Sequence, residues 1–443
     1  MKYTYLKLLA AASVFTACKP NIEGIAPSRG GADFTSYTAI GNSLTAGYAD
    51  GTLYRSGQVN SYPNMLAGQF GLVGGGAFKQ PLLPGEAGWP SPKRVLGISI
   101  GCDGVPGLGP VLYSGPSDTS GSLTNISDKG PFNNLGVPGI RAIDYTVAGY
   151  AFGALALGGV GYAYRMYPNP LTDRPIDIAA KSSHTFFTMW LGNNDVLGYA
   201  TAGGEGIVGG TRTIDISPTT AFQASYKAVV DVMTAKGQKG VLINLPDVAS
   251  TPFFTTIPAN GLVLARQGQA DSLNQAYAPL GIKFSVGPNY FIVQDETVPG
   301  GRRQLKNGEY LLLTLPQDSI KCAGWGSRVP IPRRFVLDAR EVANVTSATQ
   351  SFNSFIQQLA TTKGLAYVDM NSYLKTLQSG IRYNGVTYGP TFVTGGAFSL
   401  DGIHLTPRGY ALAANQIIMA INIKYGATVP QVDVNKYDGV RFP

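Results

Sequence analysis

Histidine is the scarcest chemistry-bearing residue of this chain, with two among 443 residues, and cysteine is close behind with three. Two scattered histidines and so few cysteines fit none of the common zinc patterns, and neither a metal nor an organic cofactor is expected. Charge is sparse too, at 14% of residues. The formal net charge of +8 is spread as pairs such as Arg302-Arg303 and Arg333-Arg334, never as a basic tract interleaved with aromatics. Nucleic acid is therefore not an expected partner. Past the amino terminus no apolar run approaches the ~20 residues of a membrane span. The small apolar stretch 151–160 is short and broken by glycines. No internal repeat is present. After Cys18, only Cys102 and Cys322 remain. They form either one disulfide, as an oxidising compartment would favour, or two separate thiols.

Glycine, by contrast, is abundant, with 57 residues, which suits a loop-rich, exported globular protein more than a disordered one. Residues 1–17 read as an export signal: Lys2 and Lys7 give a positive start, and an apolar run from Leu8 to Phe15 follows. Phe15-Thr16-Ala17-Cys18 resembles a bacterial lipobox. That resemblance implies a lipid on Cys18, which would become the mature first residue and anchor the exported chain to a bacterial membrane, the outer one, facing periplasm or cell surface. A secreted protein without an anchor is the alternative. Loss of Lys2 and Lys7 with the signal would lower the formal charge from +8 to +6. Residues 18–33, with Pro20, Pro27 and Gly30-Gly31, read as a tether, and residues 426–443 as a carboxy-terminal tail.

Between them, 34–425, apolar runs bounded by turn residues alternate with helical patterns. Strands are expected at 34–40, 185–191, 241–245 and 366–370. Helices are expected at 218–236, with Phe222, Tyr226, Val229, Val230 and Met233 on one face, and at 338–363, with Asp338 as cap and Gly364 as stop. Thr406-Pro407 opens a last helix. Such alternation predicts an α/β fold, a parallel sheet covered on both faces. Two stretches break the rhythm and read as insertions: 71–128, rich in Gly, Pro and Ser, and 281–332. The second is expected to be β-rich, with a hairpin turning at Asn307-Gly308 between 302–305 and 310–315.

Four segments at the ends of these elements carry chemistry. They are Gly41-Asn42-Ser43-Leu44, Asn134-Leu135-Gly136-Val137-Pro138-Gly139, Gly192-Asn193-Asn194-Asp195 and Asp401-Gly402-Ile403-His404. A serine hydroxyl is a weak nucleophile unless a base reaches it, and a histidine oriented by a carboxylate is such a base. Asp401 and His404, three apart in one loop, can meet Ser43 together. In order and spacing the four segments resemble the SGNH hydrolases, also called the GDSL lipase/acylhydrolase group. The resemblance implies a three-layer α/β/α sandwich, flavodoxin-like, and a carboxylic ester hydrolase. It implies Ser43 as nucleophile, His404 as base and Asp401 as orienter. It also implies an oxyanion hole from the backbone N–H of Ser43, the backbone N–H of Gly136 and the side-chain amide of Asn194. Gly139 or a neighbouring N–H could stand in for Gly136. The sequence departs from the family in placing Asn42 where the usual residue before the serine is Asp.

Other residues read as structural. His184 precedes a buried strand, Asp247 is a loop carboxylate near a strand end, and Asp195 braces the Asn194 loop. Two substrate classes fit an exported member: a lipid acyl ester at a bilayer, or an acetylated glycan stacked on some of the 24 tyrosines. A rival from another class is a lipid-anchored binding protein that keeps the fold without the activity.

Overall fold

The computed structural model describes residues 26–156 and 161–443; the export signal and Cys18 lie outside the described residues. Five strands form the central sheet: β1 (Tyr37–Gly41), β2 (Asn134–Gly136), β3 (Phe186–Trp190), β4 (Lys239–Ile243) and β5 (Ala366–Val368). All pair in parallel, in the spatial order β5-β4-β3-β1-β2. β1 and β3 are buried along their whole length, which is why they read as unbroken apolar runs without alternation. The chain leaves β1 for β2 on one side and later returns to β3 on the other. Between β1 and β3 the order reverses, and in open α/β sheets such a crevice at the carboxyl ends is where ligands bind.

Helices cover both faces. On one side lie α4 (Thr219–Met233) and α5 (Ala339–Thr362). α4 buries Phe222, Tyr226, Val229, Val230 and Met233 against Ile40, Phe187, Met189 and Leu242. Phe222 stacks on Phe352 of α5 with ring centroids 3.9 Å apart. Each such buried side chain contributes about 1.5–3 kcal/mol. On the other side lie α2 (Tyr62–Gly71) and α6 (Pro407–Tyr425), which pack Tyr62, Phe70, Ile417 and Ile421 onto Tyr37, Trp190, Val241 and Ile243. The caps follow the sequence: Asp338 and Glu341 form a reciprocal box at 2.9 Å each. The Thr406 hydroxyl accepts from Gly409 N at 3.1 Å, ahead of Pro407. Two shorter helices, α1 (Ser43–Ala46) and α3 (Asn194–Thr201), start where β1 and β3 end.

The flanking segments are fastened to α6. Gly31 N donates to Tyr425 O and Thr428 N to Ser28 O, each at 2.8 Å, at the carboxyl end of the helix. Val429, Val432 and Val434 are buried beside it. Among the described residues no helix is long and apolar enough to cross a membrane.

The additions to the sheet differ from the sequence expectation at one point. Asn307-Gly308 does sit in a turn, with Glu309 N bonded to Lys306 O at 3.2 Å, but no hairpin forms across it. Residues 302–304 pair instead with 292–294, and 310–311 pair with 336–337. The cause is the buried Glu309, which draws in Arg303 at 2.6 Å and Lys306 N at 2.8 Å and ties the turn to itself. Leu311 and Leu312 then enter two different cores, so the expected 310–315 strand stops after two residues. The longest antiparallel ladder of the additions lies in the first insertion: Arg94–Ile100 against Pro106–Leu112. Its tip carries Cys102, joined to Cys322 beyond the short helix Gln317–Lys321, with Cα atoms 6.4 Å apart. The bond closes a loop of 220 residues. Replacing both cysteines by serine should lower stability by roughly 2–5 kcal/mol, because the unfolded chain regains the freedom of that loop. A urea unfolding midpoint unchanged from the parent would show that the bond constrains little.

Candidate functional site

β1 delivers Asn42 and Ser43 to the carboxyl edge of the sheet. A Cβ at Gly41 would collide with Thr45 and with the Trp190 carbonyl, so only glycine lets α1 turn back this tightly over the strand. The Asn42 side-chain oxygen accepts from Leu44 N at 3.2 Å and caps α1. An amide oxygen caps as a carboxylate oxygen would, so the change from the family's Asp keeps this bond and removes a charge. Ser43, the first residue of α1, is 7% exposed.

From the loop before α6, His404 reaches this serine. Its Nε2 lies 2.9 Å from Ser43 Oγ, and its Nδ1 lies 2.9 Å from Asp401 Oδ2. A carboxylate only accepts, so it fixes the proton of the neutral ring on Nδ1 and leaves Nε2 free to accept from the serine hydroxyl. Burial disfavours the charge on Asp401, but His404 and the backbone N–H groups of Ile403 and His404 outweigh it and hold the carboxyl well below the usual range. Oδ1 takes His404 N at 2.8 Å, Ile403 N at 2.9 Å and Ser399 Oγ at 3.1 Å, and Oδ2 also takes Gly51 N at 3.0 Å.

The loop after α1 closes over this group. The Tyr48 ring lies 4.6 Å from the His404 ring, and its hydroxyl donates to Gly51 O at 2.6 Å. Asp50 accepts from Leu400 N at 3.0 Å and its own N–H donates to Ser399 Oγ at 3.0 Å. Tyr48, Asp50 and Ser399 were not singled out in the sequence, because no spacing rule marks residues that meet only through the fold. From below, Phe253 N donates to Gly402 O and Leu313 N to Phe253 O, each at 2.9 Å.

Gly136 departs from its expected place. Its N–H donates to Asn134 Oδ1 at 3.0 Å, and its Cα lies tight against the backbone of α1, so this amide is already engaged inside the sheet edge. Gly139 lines the cavity beside Ser43 instead, with φ +84° and open space around it. Asn194, at the start of α3, lines the same cavity and spends one N–H on Ile140 O at 2.9 Å, which holds the turn after Gly139. The following Asp195 is fully buried and takes Ala142 N at 2.7 Å. Burial pushes its carboxyl up to about 7, against the lowering effect of the Ala142 bond.

The cavity measures about 910 Å³. Beyond Ser43 and His404 its wall is mostly small or apolar: Val147, Gly149, Gly153, Ala154 and Leu197. The two charges on it, Arg141 and Asp144, neutralise each other through bonds of 2.7 and 3.1 Å. His184 lies elsewhere, buried with Nε2 2.8 Å from Met233 O. Asp247 lines a separate hollow, 3.7 Å from Lys375.

No curated protein matches the chain. Among solved structures, the extracellular lipase of Streptomyces rimosus is similar over 88% of this chain and 99% of its own, at 12% identity and a TM-score of 0.34. The model of the GDSL-like lipase/acylhydrolase family matches residues 37–417, so the chain belongs to that family.

Proposed function

We propose that this hydrolase is a serine ester hydrolase whose substrates carry an extended acyl group. Ser43 is the nucleophile, His404 the base and later the acid, and Asp401 the group that orients and stabilises the imidazolium. Ser43 Oγ attacks the ester carbonyl as its proton passes to His404 Nε2. Collapse of the tetrahedral intermediate returns that proton to the leaving alcohol and leaves an acyl-enzyme. Water, deprotonated by the same nitrogen, releases the carboxylic acid and restores the serine. The oxyanion takes the N–H of Ser43, the second N–H of Asn194 and, in place of Gly136, the N–H of Gly139.

One observation carries the reading: the hydrogen-bonded chain Ser43–His404–Asp401, 2.9 Å at each step, opens into a large cavity whose wall is mostly small or apolar. Its volume of about 910 Å³ lies near the top of the usual 300–1,000 Å³ range for small-molecule sites. With a wall that is mostly small or apolar, the cavity suits a lipid-like acyl ester better than a glycan acetate. A binding protein without activity would need neither the engaged imidazole nor the buried carboxylate behind it.

We further propose export and anchoring through a lipidated Cys18, supported by the charged start, the short apolar run and the small residues before that cysteine. Labelled palmitate fed to expressing cells should be incorporated into the protein and lost in Cys18→Ser; equal labelling of both would sink the anchor.

A fluorophosphonate probe should label the unmodified protein, and Ser43→Ala and His404→Ala should abolish labelling. Asn194→Ala should keep KM within a few fold and lower kcat by ~10²–10³, the usual cost of one oxyanion donor. A folded protein that never labels would remove the hydrolase reading. Chain length is read separately. Gly153→Trp, placed where a side chain meets only open space, should cut turnover of a dodecanoyl ester at least ~10-fold while sparing an acetyl ester. Equal losses on both would place the acyl chain outside this cavity.

A further inference from the structure

The first insertion and the second enclose another cavity, of about 740 Å³, which shares no lining residue with the one at Ser43. Arg94 and Leu108 of the hairpin face Phe253, Ile257, Ile320 and Lys321 across it. It reaches the outer side of the loop that carries Asp401. The disulfide at the hairpin tip straps the roof to the helix whose Ile320 and Lys321 form part of the wall.

Register decides which face of the hairpin looks inward. Side chains alternate along a strand, so Leu96, Ile98 and Ile100 share a face with their partners Pro110, Leu108 and Pro106. Leu108 and Pro110 line the cavity, so this apolar face is the one turned toward it. The face continues beyond the cavity: Ile98 and Ile100 are 71% and 73% exposed. An apolar wall thus begins inside and runs outward along a narrow ladder, a shape that fits one extended chain. At its edge Val393 holds a φ of +68°, a conformation that a β-branched residue adopts only at a cost and that is often kept at binding sites.

The charges complete the picture. The half-buried Arg94 extends its guanidinium over Gly51, where any Cβ would strike it. Neither Arg94 nor Lys321 takes part in an ion pair among the described residues. Asp401, the carboxylate on the wall, is already saturated by Gly51, Ser399, Ile403 and His404. A half-buried guanidinium without a counter-charge favours an incoming anion.

We propose that this cavity is a second binding site, for a single-chain amphiphile with a carboxylate head, the head on Arg94 and the chain along Leu108 toward Ile98. The choice of a carboxylate rests on the ester-hydrolase reading, since acyl-ester hydrolysis releases an alkanoate; the site itself rests on the cavity, the apolar ladder and the unpaired cations.

The test is isothermal titration of dodecanoate, below its micelle concentration, into Ser43→Ala protein that also carries Gly153→Trp, so that the catalytic cavity is blocked. One saturable site is expected. Arg94→Gln and, separately, Leu108→Asp should each weaken it at least ~10-fold, and dodecanol should bind more weakly than dodecanoate. Leu108 is 52% exposed, so its replacement tests the site without removing a core residue. No binding, or an affinity indifferent to both substitutions, overturns the proposal. Failure of the hydrolase reading would be seen elsewhere, as an unmodified protein that the fluorophosphonate does not label.

Discussion

Asp401 bears a charge that burial disfavours, and much of the architecture around the serine follows from the need to satisfy it. A carboxylate taken out of water is tolerable only when surrounded by donors. Here those donors come from three places: its own loop, Ser399 just before it, and Gly51 from the loop after α1. The last bond joins segments 350 residues apart. The carboxylate therefore does more than hold an imidazole. It fastens the beginning of the domain to its end, and the distance between Ser43 and His404 depends on that closure.

The additions to the sheet serve the same closure. Phe253 reaches the underside of the Asp401 loop through a backbone bond to Gly402 and is itself held by Leu313 N, and Gly402, at φ +74°, has no room there for a side chain. The region between β4 and α5 is thus a brace for the Asp401–His404 loop. Loops in α/β folds are where function diversifies while the sheet stays fixed. Here the loops have become a support for one another, tied by a disulfide at the hairpin tip.

Much of this was legible in the sequence because the side chains proposed to react sit at element ends. Ser43 follows β1 and Asn194 follows β3, and Asp401 and His404 precede a helix marked by Thr406-Pro407. A side chain that must face a crevice at the carboxyl edge of a parallel sheet has few places to be. The backbone donors were harder. Gly136 and Gly139 look alike in a string of letters; the bond from Gly136 to Asn134 and the place of Gly139 on the cavity wall separate them. Asn307-Gly308 carried a true turn signal, but a turn does not choose its partners. The buried Glu309 and the divergent burial of Leu311 and Leu312 made that choice, and both are tertiary facts. Tyr48 and Ser399 could not be found at all, since their importance lies wholly in what they touch.

The way the chain enters the domain has a consequence for orientation. Residues 28 and 31 are bonded beside the carboxyl end of α6, while His404 stands just before its amino end. Nineteen residues of helix separate the two, roughly 28 Å. The amino-terminal segment therefore joins the domain at the end of α6 away from His404, so whatever precedes residue 28 is attached far from the proposed catalytic mouth.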